Sequence, residues 1–114
     1  MQKSTIAIQS FMGINIMEIT SKEKQKLKGL AHSIKPSVII GKEGVSRVII
    51  DSINNILNHN ELIKIKFNEF KNEKDILSKK IQTSCDANII GMIGNTLILY
   101  KQNSDIDRRK YLID

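Results

Sequence analysis

Two features of this chain have residue types that could do chemistry. One is the glycine-framed turn Gly41-Lys42-Glu43-Gly44, and the other is the scattered trio His32, His59 and Cys85. Two glycines three apart let a backbone turn tightly and approach a ligand without Cβ interference. Helical spacing begins at Val45, directly after the turn. The free N–H groups and positive dipole end of that helix should therefore point out of the same turn, which suits a phosphate. Lys42 adds charge at the tip, and Arg47 follows one turn into the helix. Glu43 opposes this, because a carboxylate beside a phosphate is repulsive unless it turns away or pairs with a lysine. It shifts the expected contacts toward backbone amides and Lys42. A second G-x-x-G, Gly91-Met92-Ile93-Gly94, lies in an apolar strand leading to a turn, with no helix after it and no basic neighbours. That one reads as structural.

A G-x-x-G loop of the first kind clamps the backbone of single-stranded nucleic acid in KH domains. Catalysis is a poorer fit. His32 lies near a helix C-terminus, where capping and the dipole account for it, and His59 lies between two asparagines. Cys85 ends an amphipathic helix and reads as a packing thiol. As the single cysteine it allows no internal disulfide, which fits a reducing cytosol. The sequence holds no zinc-ligand spacing, Walker loop or paired-carboxylate signature. The expectation is a cytoplasmic protein that is not an enzyme and uses no metal or cofactor.

The elements around the turn follow from spacing. Thr20 and Glu23 have capping-box spacing, so a helix is expected from there to about His32, stopping before Pro36. Its apolar residues are Leu27, Leu30, Ala31 and Ile34. Lys22 stacks on Lys26 and Lys24 on Lys28, which predicts a positive outward face. Ser37 to Ile40 reads as a buried strand between Pro36 and Gly41. A second helix is expected from Val45 to about Leu57, with Val45, Val48, Ile49, Ser52, Ile53 and Ile56 inward. Glu61 to Phe67 alternates as a strand, with Ile63, Ile65 and Phe67 on one face and Leu62, Lys64 and Lys66 on the other. Asn72 is the expected N-cap of a third helix. Asn88–Ile93 and Thr96–Lys101 form a hairpin across Gly94-Asn95. The order α-β-α-β-α-β-β implies a single α/β (α+β) domain with a mixed four-stranded sheet. Residues 1–17 read as a disordered extension, 18–102 as the domain, and 103–114 as a charged, loosely attached tail.

Charge then narrows the function. The chain of 114 residues has a formal net charge of +6. Between Thr20 and Arg47, Lys22, Lys24, Lys26, Lys28, Lys35, Lys42 and Arg47 face only Glu23 and Glu43, so nearly all the excess lies in a quarter of the chain. Such clustering suggests a polyanionic partner. A membrane surface is a weaker fit, because the first helix has only modest aliphatics, and the core needs those.

The stretch Thr20–His32, then Lys35-Pro36, then Val38–Gly44, resembles the bacterial YhbY family of single CRM domains. His59–Lys66 and Gly94–Tyr100 match as well, so the resemblance spans about Ile19 to Lys101. It implies a fold like the C-terminal domain of translation initiation factor 3. It also implies RNA binding through Gly41, Lys42, Glu43, Gly44 and Arg47 with Lys22, Lys24, Lys26, Lys28 and Lys35, and a monomer is expected. The implied partner is ribosomal RNA of the large-subunit precursor, in subunit assembly. Two departures from the family pattern are the N-terminal extension and Asn95, where a basic residue is common. The alternative reading is a protein-interaction module that docks on a ribosomal protein or assembly factor.

Overall fold

Ser21–Ala31 forms the first helix, α1, because its N-terminus is closed from both sides. Glu23 N–H donates to Thr20 Oγ1 at 3.2 Å, and Thr20 N–H donates to Glu23 Oε1 at 2.9 Å. This is the expected capping box. The computed structural model describes residues 8–9 and 16–111. Most of the disordered extension expected over residues 1–17 lies outside the described residues. Within it, β1 (Ile8–Gln9) pairs antiparallel with β2 (Ile16–Met17).

The domain is a mixed four-stranded sheet of order β3-β4-β6-β5, made by Val38–Ile40, Leu62–Phe67, Thr96–Tyr100 and Asn88–Ile93. β3 runs parallel to β4, and the remaining pairs are antiparallel. The hairpin and the β4 alternation are as expected. Positive φ in the Gly94-Asn95 turn is confined to Gly94, at +59°.

The alternation divides the core between the two sheet faces. Val38, Ile40, Ile63, Ile65, Phe67, Leu97 and Leu99 pack against α2 (Arg47–Asn60) and α3 (Lys74–Cys85), meeting Ile50, Ile53, Leu57, Ile81 and Cys85. On the opposite face Leu62, Ile90, Ile98 and Tyr100 pack under Leu27 and Ala31 of α1.

Several local expectations shift. Leu30 is exposed on α1, whose inward line is Glu23, Leu27 and Ala31. The second helix starts at Arg47 rather than Val45, because Ser46 is its N-cap and accepts from Ile49 N–H at 3.3 Å. Its buried stripe is Ile50, Ile53 and Leu57, and Val48 is 73% exposed. Asn72 does not cap α3. A 3-10 turn, Lys71–Glu73, leads into the helix without a side-chain cap.

Residues 103–111 of the expected loose tail are tied down, and 112–114 lie outside the described residues. Glu61, 1% exposed, accepts from Asn103 N–H (2.6 Å), Lys110 N–H (2.7 Å) and Tyr111 N–H (3.3 Å). Tyr111 then meets Tyr100 edge-on, with ring centroids 6.4 Å apart.

Candidate nucleic-acid interface

The Gly41–Gly44 turn closes with Gly44 N–H donating to Gly41 O at 3.0 Å. Only Gly44 needs its glycine for backbone reasons, at φ +70°. Lys42 and Glu43 are exposed at the tip, and Gly44 is buried. The turn is held from below by the segment after β4. Asn68 N–H and Glu69 N–H both donate to Ile40 O, at 3.1 and 3.2 Å. A Cβ at Gly44 would stand 3.4 Å from Phe70 Cε2, so the Phe70 ring lies against the turn. Phe70 holds a left-handed backbone, φ 57°, and is 41% exposed. Sequence reasoning missed it, since one Phe between Glu69 and Lys71 carries no periodic signal.

The expected anion cradle is smaller than the spacing implied. Val45 and Ser46 intervene before α2, and Ser46 Oγ occupies Ile49 N–H. The helix end therefore does not open directly out of the turn. Arg47 is exposed and pairs with Asp51 at 3.7 Å, an exposed pair worth little. Lys80, from α3, donates to Val45 O at 3.2 Å and brings another cation beside the turn. It was not among the expected contacts.

The α1 lysines do not form one face. At about 100° per residue, Lys24, Lys28 and His32 lie on one flank, and Lys22, Lys26 and the exposed Leu30 lie on the other. Burial agrees: Lys24 and Lys28 are half-buried, whereas Lys22 and Lys26 are exposed. Lys35 is exposed in the α1–β3 connection. The Lys28 stem crosses the sheet at Gly91, where an added Cβ would come within 2.7 Å of Lys28 Cε. So Gly91–Gly94, read as structural, receives a basic side chain that the sequence did not connect to it.

That flank forms one wall of a groove over the uncovered half of the sheet. Lys28, His32 and Pro36 face Lys64 and Lys66 of β4 and Ile93, Thr96 and Ile98 of the hairpin, around a volume of about 350 Å³. The register aligns Ile39, Lys66, Thr96 and Ile93 in one row across all four strands. Gly41 lies two residues beyond Ile39, so this row borders the turn. Lys64 and Lys66 were legible as outward strand residues. Nothing in the sequence placed them opposite Lys28.

Cys85 is buried in the main core, and burial pushes its thiol up to about 11. Thiolate is therefore scarce near neutrality, about a hundredfold below the amount at the ordinary value of 9.0. Iodoacetamide at pH 8 should modify native protein at least a hundredfold more slowly than unfolded protein. Equal rates would show that the thiol is not packed as described. A raised folded value means the folded chain holds this proton more tightly. Its contribution to stability is complete below about pH 9 and is lost as pH rises toward 11.

Among the described residues no group of three His, Cys, Asp or Glu side chains is placed to hold a metal, and no helix is long and apolar enough to cross a membrane.

The sequence profile of the CRS1/YhbY (CRM) domain matches residues 19–101. The chain belongs to this family. A Haemophilus influenzae protein named "RNA-binding protein" is 36% identical over 88 residues, covering 76% of this chain and 89% of its own. The Bacillus subtilis protein named "Probable RNA-binding protein YqeI" is 30% identical over 88 residues, covering 76% of this chain and 92% of its own. A solution structure of a Staphylococcus aureus hypothetical protein, described as a candidate RNA-binding protein, superposes with a TM-score of 0.68 at 28% identity. It covers 82% of this chain and 98% of that one.

Proposed function

We propose that this CRM-domain protein binds RNA by its phosphate backbone, through the Gly41–Gly44 turn and the adjoining basic surface. The observation that carries this reading is the turn itself. It pairs an exposed Lys42 with a buried Gly44 at φ +70°, wedged by Phe70 at the end of the sheet. A backbone fixed in this way presents its tip to a ligand without paying to order it on binding. Lys35, Arg47 and the α1 flank that carries Lys24 and Lys28 extend the positive surface beside the turn, and they neutralise phosphates without reading base identity. Membership of a family whose relatives are named as RNA-binding supports the choice of RNA. The reading further places the protein in the cytoplasm as a monomer, on ribosomal RNA of the large-subunit precursor during assembly.

Mobility shifts with ribosomal RNA fragments test this. Binding should appear near micromolar protein at moderate salt, and log K should fall linearly with log salt. No retardation at that concentration would sink the proposal. Cosedimentation with ribosomal particles that survives charge reversal at Lys22, Lys26 and Lys42 would instead favour docking on a ribosomal protein.

A further inference from the structure

The groove between α1 and the open half of the sheet is lined by three lysines and His32, with no acidic residue among its lining. Two of its lysines are recessed, and Lys66 and His32 are exposed at its edge. Lys28 is half-buried with its stem laid across Gly91, and Lys64 is half-buried within β4. Its floor is apolar, with Ile98 buried and Ile93 61% exposed. Ile39, 54% exposed at the β3 end of the row that Ile93 closes, leaves a second isoleucine open to solvent along the same face. Charges held below a rim reach the phosphates of a strand that enters the groove. A duplex resting on the rim would keep its phosphates away from them. The apolar floor suits the sugar and base edges of such a strand, and His32 is the one ring of the lining on which a base could stack, a contact that tolerates any base.

We infer that this groove is a second RNA subsite, taking an unpaired strand that continues from the Gly41–Gly44 turn along the row Ile39, Lys66, Thr96 and Ile93, with its phosphates held by Lys28, Lys64 and Lys66. The inference rests on the RNA-binding reading above. It adds a strand class and two cations, Lys64 and Lys66, that belong to neither the turn nor α1. The site is sequence-tolerant and selects for lack of pairing.

The test uses the full chain and a pair of RNA probes, a 12-nucleotide single strand and the duplex of the same sequence. The variant is Lys64→Gln/Lys66→Gln, which keeps the packed stems and removes two charges. Lys79→Gln on α3, exposed on the other side of the sheet, shows what the loss of one charge outside the groove does. The double variant should bind the single strand at least tenfold more weakly. Its salt slope should be shallower by about 1.4, two phosphates at about 0.7 each. Duplex binding should fall by much less than single-strand binding, since of the two only the exposed Lys66 is open to a duplex, and Lys79→Gln should resemble wild type. Lys64→Arg/Lys66→Arg should bind the single strand within threefold of wild type, which separates lost charge from lost fold. Unchanged affinity and slope on the single strand, or an equal loss on the duplex, would overturn the subsite while leaving the turn in place. If wild type binds neither probe, the RNA-binding reading falls as well.

Discussion

Lys42→Glu should weaken RNA binding by about tenfold or more, and by the same factor for every RNA sequence tested. A charge-assisted contact to phosphate is worth about 1.5–3 kcal/mol, and reversal adds repulsion to its loss. Phosphate contacts position a ligand but carry no sequence information, so discrimination between RNAs should not change. Lys42 is exposed at the tip of a turn whose closure uses backbone groups and Phe70, so the melting temperature should stay within a degree or two. Titrations of unrelated RNAs of equal length, with a melting curve for the variant, decide the matter. A loss confined to one sequence would mean that Lys42 reads bases. No loss would remove the turn from the interface. Glu43 sharpens the comparison. Glu43→Gln takes away a like charge beside the phosphate and should strengthen binding slightly, opposite in sign to Lys42→Glu.

The second large effect concerns stability. Glu61→Ala should destabilise the domain by about 3 kcal/mol. The Glu61 carboxylate is shut off from solvent and accepts three backbone N–H groups from residues 42, 49 and 50 positions later. Alanine leaves those donors without their acceptor and releases the segment that presses Tyr111 onto Tyr100. Burial and the nearby Glu61 charge hold the Tyr100 hydroxyl well above its ordinary range, as expected of a ring packed in this corner. The loss should appear as a fall of roughly 10–15 °C in melting temperature. Limited proteolysis should also begin cutting after Lys101. Glu61→Gln keeps an acceptor but loses the charge, and should fall between wild type and Ala. A melting point within about 3 °C of wild type would mean that the C-terminal segment is not held by this carboxylate.

The position of Glu61 marks the limit of what local pattern could reveal. It has φ 64° at the end of α2, a strained conformation for a residue with a Cβ, and its partners lie at the other end of the chain. From sequence it was one more charge at a strand start, and the segment after residue 102 had no visible anchor. α2 shows a milder form of the same problem. Val48, Ile49, Ile50, Ile53, Ile56 and Leu57 make an apolar band wider than one helix face, so two phases fit it. The choice fell to Ser46, which sets the start of the helix, and to the strands beneath, which take Ile50, Ile53 and Leu57.

The sequence by itself determined the elements whose cause is local. The Thr20–Glu23 capping box needs partners three residues apart. The β4 alternation needs only the two-residue period of a strand, and Gly94 supplies the positive φ of the hairpin turn. The Gly41–Gly44 turn and the clustered charge were legible for the same reason. Tertiary structure decided how these parts face one another. Helix spacing separates Lys24, Lys28 and His32 from Lys22 and Lys26, and tertiary structure turned Lys28 and His32 toward the open half of the sheet. It set Lys28 across Gly91 opposite Lys64 and Lys66, and it wedged Phe70 beneath Gly44. Those relations depend on which strands are neighbours and which sheet face α1 covers. Burial of Leu62, Ile98 and Tyr100 under Leu27 and Ala31 fixes that choice across dozens of intervening residues.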